Sequence, residues 1–421
     1  MSDIKIHTKK ISGLRPTYHH LVLAMFLITI LFQLTTLKHI WGIEDLSRLI
    51  NSATLIFLIM YVFYAMISLR FNKNVWFFYI IPGLLVYVSF FLNFSVNTLS
   101  NLNVINYFGL LLPWATFLIM PALLKKMEYD SEKLWRYFYY FMLTAVSLGI
   151  LEYFLFFSDI VSMRIISTPY GEFWAGRFSL LHLLSDNTAH SRFYACFGEP
   201  GNLAMFLLPA ISYTYFYKKY IGLAIFLLAF YLADSLGGYI SLAMMIFLFI
   251  FITINKRKIP RVLPVAVVIL ISSVFVMSYM DDFTTAYENK TYSATQRADN
   301  IANTMVNLPY MLAENPIGFK LTDGTSSASK NPHYYGSNFA IGHSIQMGGI
   351  SAFFGYSIVL LVSLVVAFLK ITCKNLSLEE KVVFTSLIVL FPFIFQRTNV
   401  WDSAMFAFLF SPLIIRFLQS R

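Results

Sequence analysis

Apolar runs of about 20 residues, separated by short polar connectors, recur along the whole chain. A helix of that length spans the hydrocarbon core of a bilayer, which is about 30 Å thick. Composition agrees: 58% of residues are apolar and 12% charged, with a mean hydropathy of +0.67, whereas a soluble domain carries about twice that charge. The sequence therefore predicts an all-α polytopic membrane protein, a single transmembrane helical domain over residues 1–421 with no separate globular module. Lipid cannot satisfy unpaired backbone groups, so the runs must be helices, and the alternating pattern of an outer-membrane barrel is missing. Twelve spans are predicted, at roughly 18–37, 49–69, 75–94, 104–124, 137–157, 200–217, 221–234, 237–255, 262–280, 341–369, 382–396 and 403–418.

Charge gives these spans an orientation. With a cytoplasmic N-terminus, the inside segments are 1–17, 70–74, 125–136, 218–219, 256–261, 370–381 and the tail. Together with Arg416 at the inner end of the last span, they hold 21 of the 31 lysines and arginines and 6 of the 21 acids, a net +15; the remaining segments are net −5. Both termini are then expected inside, and the overall charge of +10 follows from topology without a nucleic-acid partner. The first span lacks a small-residue cleavage site and reads as retained. Cys196 falls outside and Cys373 inside, so they are not expected to pair, and neither has a metal-ligand spacing; no metal or cofactor is expected.

Two outer segments exceed what a connector needs: 158–199 and 281–340. Tyr170, Phe173, Trp174, Tyr334 and Tyr335 make them too aromatic for disorder, and short interfacial helices packed over the bundle are expected. The two long outer loops and the last short loop carry few cations: Arg164, Arg177 and Arg192 in the first, Lys290, Arg297, Lys320 and Lys330 in the second, and Arg397 in the last short loop. Each is either paired with local acids such as Glu172, Asp186 and Asp299 or kept for function. Arg192 and Arg397 are the foremost candidates because they stand at span ends.

Three stretches carry chemistry. In SRFYACFGEPGNLAMFLLPAI (191–211), Pro200 suits the first position of a helix, which makes Glu199 its N-cap. The positive end of that helix, with Gly198, Gly201 and Asn202, attracts anions, and Arg192 adds a bidentate donor. Glu199 either stabilises the helix end as an ionised cap or serves as a base. In the seventh span, about 13 apolar residues reach only about 20 Å before Asp234-Ser235-Leu236-Gly237-Gly238. Either this stretch turns below the surface and leaves a recess, or the span is longer and slightly polar. Finally, NPIGFK (315–320) precedes HYYGSNFAIGHSIQMGGISAFFGY, in which His343 opens the tenth span, as a structural group or as a base, and Gly348-Gly349 suggests close helix packing.

These stretches, in their order and on their side of the membrane, resemble the bacterial O-antigen and capsular polysaccharide polymerases of the Wzy type, in the O-antigen ligase and polymerase superfamily. RFYACFGEPGN resembles their R…G-x-F-x-E-P-(S/N) segment, ADSLGGYISL their hairpin two spans later, and NPIGFK with GSNFAIGHSIQMGGISAFFGY the pieces around the last large outer loop. Departures are Ser337-Asn338 where the family has His-Asn, Leu236 where arginine follows the hairpin serine, and Lys320 in place of a glycine. The resemblance implies a glycosyltransferase at the outer face of the inner membrane. It would join undecaprenyl-pyrophosphate-linked repeat units, alongside a flippase and a chain-length regulator. Glu199 and His343 would be catalytic, and Arg192, Arg177, Arg297, Arg397 and Ser235 would bind substrate, with the loop aromatics stacking on sugars. A ligase moving glycan from the same carrier to lipid A core shares this layout; a polysaccharide transporter or flippase would show midplane charges and related halves instead.

Overall fold

The computed structural model describes residues 23–68, 71–97, 104–127, 130–168, 171–182, 192–253, 340–373, 375–396 and 405–420, with shorter stretches between 306 and 326. The described residues are overwhelmingly helical. Helix α1 covers 23–34 and ends in a π turn, Ile30–Leu34; after Thr35 and Thr36 comes the single turn α2, Leu37–Ile40. Then follow α3 (Glu44–Ser68), α4 (73–97), α5 (Val104–Met127) and α6 (Ser131–Phe157). Strands β1 (Arg164–Thr168), β2 (Gly171–Ala175) and β3 (Leu180–His182) precede α7 (Pro200–Phe216), α8 (Tyr220–Ala233) and α9 (Leu236–Thr253). A two-stranded ladder, β4 (Leu321–Thr322) and β5 (Thr325–Ser326), precedes α10 (Ala340–Ile371), α11 (Leu378–Gln396) and α12 (Phe406–Gln419).

Among the described residues three helical stretches are long and apolar enough to cross a membrane: Lys73–Val96, Ser131–Phe157 and Met347–Ile371. Shorter apolar helices accompany them, and side chains such as Phe77, Phe91, Leu361 and Val365 face outward. Apolar faces of this kind suit a helical protein embedded in lipid. Helix positions agree with the sequence to within several residues; the predicted span 262–280 lies outside the described residues.

The bundle is organised around α7, buried at every position from Pro200 to Thr214 and packed against α6, α8, α9 and α11. A second packing unit joins α10 to α4. Gly348 and Gly355, on either side of a break in α10, both admit α4 so closely that an added Cβ would lie 2.5 Å from Ser89 Oγ and 2.5 Å from the Pro82 carbonyl respectively. The end of the bundle at Ser131 and Lys370 is tied by polar contacts: Ser131 with Glu379, Lys370 with Glu380 at 2.9 Å, and Asn72 Nδ2 donating to the Leu418 carbonyl at 2.8 Å. The opposite end carries the three-stranded sheet.

The first long loop departs from expectation. Interfacial helices are expected there, but 164–182 forms an antiparallel sheet of order β1-β2-β3. The residues alternate: Phe173 and Ala175 point inward and are buried, while Ile165 and Ser167 face out. Gly171 at φ +118 sits at the hairpin turn. A period of two within so short a stretch is what selects strands over helix.

The tenth helix is also not continuous. Gly349 has φ +60 and ψ −143, a conformation essentially confined to glycine, and splits α10. The turn Pro316–Gly318 fills the break: Ile350 N–H donates to the Pro316 carbonyl at 3.0 Å, where an uninterrupted helix would direct it to Gln346. Asn93 Nδ2 donates to the Met347 carbonyl at 2.8 Å from the other side. Gly348 thus serves close packing, as its sequence predicts, and Gly349 serves the break. A Cβ at Gly349 would lie 2.1 Å from the Pro316 oxygen. Gly349→Ala is therefore expected to cost about 3 kcal/mol or more, and to appear as a clear drop in thermal unfolding temperature of the detergent-purified protein, larger than that of Gly42→Ala, whose Cβ position is open.

Candidate functional site

The segment from Arg192 to Glu199 is non-helical backbone set among helix ends, and its hydrogen bonds explain its course. Leu180 N–H donates to the Ala195 carbonyl at 2.7 Å, and Phe193 bridges Leu181, so the segment extends the sheet beyond β3. Phe193 N–H then donates to Leu232 near the end of α8 at 3.1 Å. The Cys196 carbonyl accepts two bonds from Thr36, from its N–H and from its hydroxyl, each 2.8 Å. The break between α1 and α2 thereby supplies the donors that the segment needs. Phe197 stacks on Phe206 at 4.7 Å, which clamps the segment to α7.

Pro200 occupies the first helical position of α7 and Glu199 is its N-cap, as the sequence predicts. The Glu199 carbonyl accepts the first intrahelical bond, from Leu203 N–H at 3.1 Å, and its half-buried side chain makes no capping hydrogen bond. Asn202, one turn on, is buried, and its Oδ1 has no partner among the described residues.

Arg192 reaches the second motif. Its guanidinium donates to the carbonyl of Asp234, and its Nε is buried without a partner among the described residues. Asp234 closes α8 in the left-handed conformation, φ 46, so α8 stops after 14 residues. The expected five-residue turn is shorter: only Asp234 and Ser235 are non-helical, and Gly237 and Gly238 belong to α9. Gly238 is needed for packing, since its Cβ would lie 2.8 Å from the Phe230 ring and 3.1 Å from Ala204 Cβ. Ser235 is buried at the start of α9, and its hydroxyl accepts from Gly238 N–H at 3.4 Å.

Other predicted residues stand elsewhere. Arg177 is exposed on the β2–β3 turn. Phe173 is core, with its ring 6.3 Å from that of Tyr194, and is not placed to stack on a ligand. Trp174 is half-buried beside Phe156. His343 lies in the first part of α10, before the Gly349 break, and its side chain is outside the described set. Arg297, Arg397, Tyr170, Tyr334 and Tyr335 lie outside the described residues.

Burial pushes the Tyr194 phenol up to about 12, with Arg192 opposing in part, so Tyr194 stays protonated at neutral pH. Burial likewise raises the Cys196 thiol to about 12 and makes it unreactive. The chemistry of the segment thus rests on a guanidinium, a carboxylate and the amide end of a 17-residue helix, a combination suited to holding an anion beside a proton acceptor.

One acidic residue escaped the sequence reading. Glu152, in the last two turns of α6, accepts from the N–H groups of Arg177, Phe178 and Ser179 at 2.8–3.0 Å and from the Ser179 hydroxyl at 2.8 Å. It organises the β2–β3 turn, and Gly176 is required there because a Cβ would lie 2.5 Å from its carboxylate. The available signal was a lone acid inside an otherwise apolar span. Glu152→Ala leaves three amides without that acceptor and is expected to lower stability by about 3 kcal/mol; Glu152→Gln, which keeps one carbonyl oxygen, should lose less in the same thermal unfolding measurement.

At the same end, His39 Nδ1 lies 2.7 Å from Glu44 Oε1, and Trp41 Nε1 donates to the Arg177 carbonyl at 2.9 Å. The hydrogen bond to His39 holds the Glu44 carboxyl below its usual range. A carboxyl with a depressed folded pKa stabilises above its unfolded value and loses that contribution as pH falls through the folded one. Acidification below about pH 4.5 is therefore expected to loosen the connector 38–44, read as increased amide exchange there, and Glu44→Gln should abolish that pH dependence. Comparison with protein-family models, with curated proteins and with solved structures finds no match to this chain.

Proposed function

We propose that this chain is a polysaccharide polymerase, a glycosyltransferase that joins undecaprenyl-pyrophosphate-linked oligosaccharide repeat units at the outer face of the bacterial inner membrane, in O-antigen or capsule biosynthesis. Twelve spans with both termini cytoplasmic would put the sheet end, with Arg192 and Glu199, on the outer side, in keeping with the excess of cations in the segments assigned to the inside. The observation that carries the reading is the pairing of functions on one segment. Arg192 is held at the junction of β3, α8 and α9, and Glu199 stands at the amide end of α7.

In this reaction the hydroxyl of the acceptor unit attacks the anomeric carbon of the donor chain. The new glycosidic C–O bond forms as the bond from that carbon to the pyrophosphate oxygen breaks, and the carrier pyrophosphate leaves with the electron pair. Arg192, helped by Arg177 or Arg297 and by Arg397, offsets the charge of that leaving group together with the α7 amides. Glu199 takes the hydroxyl proton, or orients the donors while His343 takes it. Ser235 serves by shaping the turn that receives Arg192.

The test is glycan chain length in cells expressing Arg192→Ala or Glu199→Ala at verified membrane levels. Single-repeat glycans should accumulate and long chains fall by about a hundredfold or more, the scale on which positioned acid–base groups contribute. Normal long chains in both variants would sink the proposal. Loss of all attached glycan in a deletion strain would point to the ligase instead.

A further inference from the structure

The outward face of the first sheet continues the outward face of α6. On the last turns of α6, Leu151 is 55% exposed, followed by exposed Phe154 and Phe157. The rings of Phe157 and Phe156 lie 5.2 Å apart, and Phe156 meets Trp174 at 6.2 Å. Trp174 is the cross-strand partner of Ile165, which is 55% exposed, and Ile160, 69% exposed, stands in the connector between α6 and β1. This apolar collar begins on a helix long and apolar enough to cross a membrane and continues onto the sheet through Phe156 and Trp174, with Ser158, Asp159 and Arg164 exposed beside it. Farther along the hairpin the same face turns polar, with Ser167 paired opposite Glu172.

Two constraints set its depth. Large apolar side chains at this exposure gain by leaving water, at about 25 cal/mol per Å². Among the described residues β1 is the edge strand, and edge backbone groups cannot enter hydrocarbon. Both are met only at the headgroup boundary, where apolar side chains reach the acyl layer, the backbone keeps polar partners, and a tryptophan is at home.

We infer that the β1–β2 hairpin is an interfacial anchor: Ile160, Ile165 and Trp174 insert at the headgroup–acyl boundary of the bilayer, while Ser167 and Glu172 stay in water. The partner is the lipid surface itself, reached by continuity with the lipid-facing side of α6. The sheet then forms a hydrogen-bonded ladder from lipid, through β2 and β3, to Phe193 beside Arg192. This holds whether or not the chain polymerises glycans.

The experiment places a nitroxide label on Ile160→Cys, Ile165→Cys or Ser167→Cys, each exposed, in the full chain bearing Cys373→Ser and reconstituted in phosphatidylethanolamine–phosphatidylglycerol vesicles. The ratio of collision with oxygen to collision with a water-soluble nickel chelate should be several-fold higher at 160 and 165 than at 167. Equal ratios at the three positions would overturn the inference, and so would protection of 160 and 165 from both reagents, since another part of the chain would then cover the face. A thermal unfolding temperature matching the parent establishes that each labelled protein is folded.

Discussion

Backbone polar groups inside a helical bundle must find partners there, and the rest of the structure depends on how the Arg192–Glu199 segment does so. It borrows the Thr36 donors at the break after α1, an α8 carbonyl and the edge of β3. These bonds bring the ends of four elements to one place. They also fix where α7, buried from Pro200 to Thr214, begins, and they leave Arg192 against the Asp234 turn.

The same requirement governs the far larger unit of α4 and α10. A helix broken at Gly349 would leave Ile350 N–H unpaired; the Pro316 carbonyl takes it, and Asn93 bonds the Met347 carbonyl on the opposite side. Two motifs distant in sequence, NPIG and QMGG, thereby become one piece of structure. Glu152 repeats the principle at the sheet, where a single carboxylate gathers three amides of a turn. In each case a non-helical stretch is held by a group from a segment that could not have been chosen by local preference.

That division explains which features were legible in the residues. Hydropathy alone placed the described helices, because burial in lipid or in the bundle demands long apolar runs whatever the neighbours are. Pro200 announced the start of α7, and the shortness of the run before Asp234 announced the stop of α8. By contrast, the alternation in 164–168 and 171–175 is too brief to stand out in the residues alone, and Phe173, read as a surface ring, turns inward because its strand packs against Tyr194. Gly237 and Gly238 looked like a turn, yet they are helical, and at Gly238 the neighbours Phe230 and Ala204 leave no room for a Cβ.

By itself, then, the sequence determined the helical class, the rhythm of apolar segments, the uneven placing of charge and the helix ends signalled by proline and by a short run. These follow from near-neighbour patterns read against a solvent that accepts no unpaired backbone. The tertiary structure alone decided that the first loop carries a sheet, that Glu199 begins α7 without a side-chain capping bond, that Arg192 meets Asp234, and that Gly349 yields to Pro316. Each of those outcomes rests on a partner remote in the chain. Thr36 and Cys196 are 160 residues apart, and no local period encodes which distant donor will satisfy a given carbonyl.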